Sequence, residues 1–310
     1  MYDSVNIWLG SEQAGIESLS AFAESRLTDL TEIVRPDGQV ILTGHLQNYK
    51  ASVSQAGISL KGSLAKYYLG DNIQTLTRSD SQKAIEKMQD ETLLPIDQAK
   101  VTRFDIAANL LMRHEPKDYY PYLGDCQYYK RSNLPDSVYY SNGQRVKLFY
   151  NKAAEAKKQG LRLPEVATGY NILRYELRFT GRITKQFSRP EITASTLTDE
   201  QFYIEAVNRW LHEYRSIQKQ RDIRINFADM KTPKDFFRQL QLFAVHEIGQ
   251  DRLMQAIDEM RSQGTFEKPE YYSRLKKELK ELCSTPNLTT SSELVTELDK
   301  KVDQACRHYR

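Results

Sequence analysis

Residues 171–179 read NILRYELRF, and their side chains alternate in character without a break. Alternate residues of a strand share a face, so Arg174, Glu176 and Arg178 line one side while Tyr175, Leu177 and Phe179 line the other. Residues 101–107, VTRFDIA, repeat the arrangement, with Arg103 and Asp105 opposite Phe104 and Ile106. Residues 146–152, VKLFYNK, put Tyr150 and Lys152 two apart on one face, and the S-N-G sequence at 141–143 is a hairpin signal just before them. Three strands thus offer an apolar face to a core and a charged face to something else. Any half-solvated antiparallel strand shows the same alternation, so the pattern specifies a sheet before it specifies a chemistry.

Elsewhere in residues 1–187 strands and helices are mixed. Val5, Ile7 and Leu9 alternate up to Gly10, and Ser11 can cap a helix reaching about Leu27. Residues 39–69 are strand-rich and punctuated by Gly57, Gly62 and Gly70, and a second helix starts at Ser79 or Asp80 and ends before Pro95. After Pro190 the period changes to that of helices: Phe202, Ala206, Trp210 and Tyr214 recur every four residues behind a Thr198/Gln201 capping box. Thr232-Pro233 opens another helix, and Trp210, Phe236, Phe237, Leu240, Phe243 and Leu253 are expected to form a helical core. The expected fold is α+β: an antiparallel-rich sheet with flanking helices over residues 1–190, then an all-helical C-terminal region over 191–310.

The chain of 310 residues carries 44 Lys+Arg against 41 Asp+Glu, a balance that by itself announces neither a nucleic-acid binder nor a disordered tail. Resolved along the chain it does more. Residues 145–185 hold ten Lys/Arg and three Glu, gathering positive charge around two of the three strands. Arg145, Lys147, Lys157, Lys158, Arg162 and Arg182 are candidate contacts to a phosphate backbone. Seven tyrosines between 119 and 140, interspersed with Lys117, Lys130 and Arg131, are suited to stack unpaired bases or to pack at a sheet edge. The three cysteines, at 126, 283 and 306, define neither a disulfide framework nor a zinc pattern, and a reducing cytoplasm is the expected compartment. The N-terminal residues lack a signal peptide's basic and apolar regions, and no apolar run approaches the roughly 20 residues of a membrane span.

If the three strands are neighbours, their polar faces meet. Asp105 and Glu176 then form a hard oxygen pair suited to Mg²⁺ or Mn²⁺, Tyr150 is placed as a nucleophile, and nearby Lys or Arg can hold phosphate oxygens. The order VTRFDIAANL (101–110), VYYSNGQRVKLFYNKAAE (138–155) and NILRYELRFTGRI (171–183) resembles the rolling-circle replication initiators of the filamentous-phage gene II/gene X type, closest to phage and plasmid versions from Bacteroides-like bacteria. The upstream ISLKGSLAKYYLGDNIQTLTRSD (58–80) is similar as well, so the resemblance spans roughly residues 40–187. It implies a site-specific enzyme in the cytoplasm of a bacterial host. A tyrosine nicks one strand of locally single-stranded origin DNA, keeps the 5′ end as a phosphotyrosine and leaves a free 3′-OH for a host polymerase, with host helicase a further partner. By the same resemblance Tyr150 is the nucleophile, Lys152 its basic neighbour, and Asp105 and Glu176 the metal ligands. Arg103, Arg174 and Arg178 complete the expected DNA-binding set.

Alternatives stay open. Tyr139 and Tyr140 precede the same hairpin turn and lie on opposite strand faces, so one of them can also point into the site. The histidines at 45, 114, 212, 246 and 308 are isolated, so a His-hydrophobic-His metal motif is not matched, although His45 lies in the strand-rich region. A non-catalytic DNA-binding replication factor or repressor, and a nuclease whose carboxylates activate water, fit the same strands.

Overall fold

The computed structural model describes residues 1–160, 169–220, 222–223, 230–284, 289–290 and 292–310. Two compact units result: Met1–Lys219 with Glu297–Arg310, and Gln220–Thr296. The first unit therefore runs past the boundary expected near 190. Among the described residues no helix is long and apolar enough to cross a membrane.

The first unit opens with strand β1 (Tyr2–Gly10), two short helices α1 (Ser11–Ala14) and α2 (Leu19–Arg26), and strands β2 (Thr28–Val34), β3 (Val40–Leu46), β4 (Tyr49–Ser54) and β5 (Gly57–Ser63). Gly15, left-handed at φ 63°, stops the first of these helices, so one continuous helix to Leu27 does not form. Helix α3 (Leu64–Leu69) and helix α4 (Arg78–Thr92) lead to the long strand β6 (Lys100–Met112). Thr77, rather than Ser79 or Asp80, caps α4: its hydroxyl accepts from Asp80 N, and the Asp80 carboxylate accepts in turn from Thr77 N. After helix α5 (Pro116–Tyr119) come β7 (Leu123–Cys126), β8 (Lys130–Leu134), β9 (Ser137–Ser141), β10 (Arg145–Asn151), helix α6 (Lys152–Lys158) and β11 (Asn171–Phe179). The expected 138–152 hairpin is β9–β10, and Asn142 Oδ1 holds its turn by accepting from Gln144 N and Arg145 N.

Among the described residues, ten strands form one antiparallel sheet in the order β2-β3-β4-β5-β1-β6-β11-β10-β9-β8. The three strands singled out from sequence, β6, β11 and β10, are thus consecutive. Their apolar faces carry the core. Phe104 stacks on Phe179 at 4.6 Å between ring centroids, and Phe149 stacks on Tyr175 at 4.5 Å. Short helices α7 (Ile183–Gln186) and α8 (Ala194–Thr198) and the longer α9 (Glu200–Arg215) follow β11. Asp199, not Thr198, caps α9 by accepting from Phe202 N at 2.8 Å. Trp210 of α9 lies 4.8 Å from Tyr175, and the Tyr175 hydroxyl donates to Trp210 O. Trp210 is fully buried and so belongs to the sheet's core, not to a separate helical one.

In the second unit, helices α10 (Pro233–Ile248), α11 (Gln250–Ser262) and α12 (Pro269–Ser284) share a small core of Ile257, Tyr272 and Leu279, with Leu253 packed against it. Thr232 caps α10 with a capping box, as its Thr-Pro start predicts. Phe236, Phe237, Leu240 and Phe243 are exposed rather than in a core. Helical spacing marks a common face, but does not say that anything covers it.

Candidate functional site

Strand β11 sets the site because it lies between β6 and β10. Its register puts Arg178 opposite Asp105 of β6, and Arg174 opposite Tyr150 of β10. All four side chains therefore share the face away from the core. Two further pieces complete it. The register of β1 against β6 shifts between Tyr2 and Val5, both of which pair with core-facing residues, and this bulge turns Asp3 to the polar face. Gly70 ends α3 in the left-handed region at φ 86°, and the segment beyond it lays Asn72 over the same face.

The result is a dense ionic network. Glu176 Oε1 accepts from Arg174 Nε at 2.7 Å and from the Tyr150 hydroxyl at 2.8 Å. Glu176 Oε2 accepts from Arg178 Nη2 at 2.9 Å and Nε at 3.1 Å. Asp105 is held bidentately by Arg103, at 2.9 Å and 2.5 Å. Arg174 also pairs with Asp3 Oδ2 at 2.7 Å, as an ion pair rather than an aligned hydrogen bond, and donates to Asn72 O and Asn109 Oδ1. Lys152 Nζ donates to Asn72 Oδ1 and to Glu155 Oε2, each at 2.7 Å. Arg174 and Lys152 are fully buried, Asp105 and Glu176 nearly so.

Burial and charge pull these groups apart. Burial favours the neutral Glu176 carboxyl, but the Arg174 and Arg178 guanidiniums outweigh it and hold the group well below the usual carboxylate range. For Asp105 burial wins over Arg103, and the carboxyl is pushed up to about 6. Burial also raises the Tyr150 hydroxyl, Arg174 works against this, and ionised Glu176 adds to it. Lys152 is lowered by burial and by Arg174. An acid raised on folding holds its proton longer in the folded chain. The stability that Asp105 contributes is thus complete below about pH 4 and lost as the pH rises through about 6. Asp105→Asn, which keeps an acceptor for Arg103, is expected to melt a few degrees above the unaltered chain at pH 7.5 and at the same temperature near pH 4. A variant destabilised more at pH 7.5 than at pH 4 would contradict this.

The two carboxylates do not, as they stand, fit a divalent cation. Both Asp105 oxygens are taken by Arg103 and both Glu176 oxygens by Arg174, Arg178 and Tyr150. The described residues also contain no group of three His, Cys, Asp or Glu placed to hold an ion. His45 lies on β3, with β4, β5 and β1 between it and β6, and faces Asp29 at 3.6 Å.

The expected phosphate contacts separate by face and depth. Arg103 and Arg178 form the site's accessible rim, their side chains 33% and 29% exposed. Lys157, Lys158 and Arg182 are exposed, and Lys158 pairs with Asp136. Arg162 and most of its loop lie outside the described residues. Arg174 is too deep to meet a backbone. Lys147 and Arg145 fall on the opposite face, because strand alternation sends them with Phe149 towards α9. Lys147 is fully buried, ion-paired to Glu213 at 2.7 Å, hydrogen-bonded to Ser216 and seated over the Tyr129 ring, and Arg145 pairs with the same Glu213. Both therefore brace α9 rather than line the polar face. Lys147→Met is expected to cost about 1 kcal/mol of stability, because Glu213 keeps Arg145 and the Tyr129 hydroxyl, without changing the salt slope of DNA binding that exposed lysines set. A flattened salt slope would return Lys147 to the DNA surface.

The tyrosines divide likewise. Tyr140 is buried, its hydroxyl donating to Leu123 O and Gly124 O, which removes it as a nucleophile candidate. Tyr139 pairs with Leu148 and so shares the face of Tyr150. Tyr119 and Tyr120 are buried, whereas Tyr128 is 84% exposed. Sequence reading missed Asp3, Asn72, Asn109 and Glu155. Asp3 alone left a trace, an acid on the same parity as apolar Val5, Ile7 and Leu9.

Two comparisons bear on this arrangement. The family described as the N-terminal part of the phage replication-associated gene II protein has a model that matches residues 1–213, which takes in every strand of the large sheet and nearly all of α9. A search of curated proteins found no match.

Proposed function

We propose, because the chain belongs to the family of filamentous-phage gene II-type replication initiators, that it nicks and rejoins single-stranded origin DNA through Tyr150. The observation that supports this most is the 2.8 Å hydrogen bond from the Tyr150 hydroxyl to Glu176 Oε1, on a face whose accessible rim is two arginines. A raised tyrosine does not ionise in advance, so its proton leaves as the oxygen attacks. Tyr150 Oη bonds to phosphorus, its proton passes to Glu176 as Arg178 turns from that carboxylate to the phosphate, and the bond from phosphorus to the 3′ oxygen breaks. That oxygen departs as a hydroxyl, and Lys152, whose ammonium is weakened by burial, is the assigned proton donor. Arg178 and Arg103 hold the non-bridging phosphate oxygens. Rejoining reverses the step: a 3′-OH attacks the phosphotyrosine and the phenol recovers its proton.

A second reading is a DNA-binding replication factor without cleavage, and the raised, hydrogen-bonded Tyr150 favours it. A random single-stranded oligonucleotide pool labelled at its 3′ end separates the two when incubated with the protein and Mg²⁺ or Mn²⁺. Label that stays with denatured protein supports attack by Tyr150. Cleaved DNA with unlabelled protein points to water attack, and retention without cleavage to the regulatory reading.

A further inference from the structure

Lys152, assigned above as the proton donor, has three N–H bonds to place. Two are taken: Asn72 Oδ1 and Glu155 Oε2 accept from Nζ, each at 2.7 Å. Among the described residues nothing accepts the third, and the side chain is fully buried, so bulk solvent does not meet it either. Glu155 is a near neighbour on α6, three residues along. Asn72 instead comes from the segment between α3 and α4, 80 residues away in sequence. Its amide cannot turn freely. Asn72 Nδ2 donates to Asp3 Oδ1 at 3.3 Å, which leaves the amide oxygen for Lys152. The Asn72 main-chain oxygen accepts from Arg174 Nη1 at 3.1 Å. Beside it, Ile73 packs on Ile172, Ile73 O accepts from Asn109 Nδ2 at 2.5 Å, and Asp71 Oδ1 accepts from Ile73 N at 2.9 Å.

We propose that Asn72 is a positioning residue for strand cleavage: its amide oxygen fixes the Lys152 ammonium so that the third N–H is kept for the departing 3′ oxygen. As the bond from phosphorus to that oxygen breaks, the proton of the third N–H moves to it. The products are a 3′-OH and a neutral lysine, whose two remaining N–H bonds still go to Asn72 and Glu155. This rests on the reading of Tyr150 as nucleophile and Lys152 as acid. The groups around Lys152 set the charge it carries. Burial opposes the ammonium most and Arg174 from β11 opposes it further, while Glu155 from α6 and Asp3 from β1 favour it. The Asn72 oxygen favours the ammonium too, by accepting from it. Removing that oxygen therefore lowers the pH at which Lys152 gives up its proton.

The test titrates Lys152 by nuclear magnetic resonance in the full chain carrying carbon-13-labelled lysine, the signal being assigned by its loss in Lys152→Arg. The midpoint is expected to fall by about half a pH unit or more in Asn72→Ala. It should rise in Asn72→Asp, which keeps the oxygen and adds a charge, and which decides alone if the alanine variant does not fold by circular dichroism. The oligonucleotide cut most in the random pool is then made with sulfur in place of the departing 3′ oxygen, because a thiolate leaves without needing a proton. Asn72→Ala should cut the ordinary oligonucleotide at least about tenfold more slowly than the unaltered protein, and the sulfur version at nearly the same rate. A residue that only ties its segment to the sheet would slow both alike. A midpoint unmoved in a folded variant, or a deficit that sulfur does not repair, overturns the proposal. The labelled-adduct assay on unaltered protein keeps the two ideas apart. Where it gives an adduct, either of those results ends this inference alone. Where it gives none, the Tyr150 reading falls and the positioning role falls with it.

Discussion

Tyr150→Phe is expected to reduce nicking on the order of 10³-fold or more and to remove the covalent adduct entirely, while oligonucleotide binding stays within about twofold. The asymmetry follows from the geometry. The phenol ring keeps its place on β10, and only the bond to Glu176 Oε1 is lost. Glu176 keeps its bonds from Arg174 and Arg178, so no buried charge is stranded. The stability cost is then that of one hydrogen bond, about 1 kcal/mol. Tyr139 makes the natural control because it shares the polar face. Tyr139→Phe should leave the adduct in place, and an adduct lost there but kept in Tyr150→Phe would reverse the assignment. Tyr140→Phe should lower stability by about 1 kcal/mol, since it deprives the Leu123 and Gly124 carbonyls of their buried donor, and leave the chemistry intact.

Arg174→Met should be the most damaging single change to the fold among the site residues, with a loss of about 3–5 kcal/mol in urea denaturation. The arginine touches four partners from three directions: Asp3 on β1, Glu176 and Asn109 on the sheet, and Asn72 from the segment above. Removing it leaves Asp3 and Glu176 as buried, underpaired carboxylates. Arg174→Lys should recover little, because one ammonium cannot span a fork that reaches both acids and two further oxygens. Arg178→Met gives the comparison. That side chain is 29% exposed, and Glu176 retains Arg174, so a loss of about 1 kcal/mol or less is expected. Equal losses in the two variants would contradict the division between the buried arginine and the one at the rim.

Alternation on residues 101–107, 146–152 and 171–179 was enough to place Asp105, Tyr150, Glu176 and the arginines on faces, because a strand has only two. It also implied that Lys147, one step from Leu148, lies away from Tyr150, but a cluster of positive charge in sequence obscured this. Charge counted along a chain mixes the two faces of every strand in it. The helical third was harder to read. The spacing of Phe236, Phe237, Leu240 and Phe243 marks a helix face, yet Trp210 went to the sheet's core and these four stayed exposed. Periodicity carries no information about which surface covers a helix. Asn72 and Asn109 were invisible for another reason: their roles depend on contacts between segments distant in sequence.

The central claim is that Tyr150 makes the bond to DNA. Trypsin should release residues 148–152, LFYNK, from the adduct, because Lys147 and Lys152 flank the tyrosine. After nuclease digestion, mass spectrometry is expected to find this peptide carrying a nucleotide through its 5′ phosphate on Tyr150. A nucleotide on Tyr139, on any other residue, or on none would contradict the account.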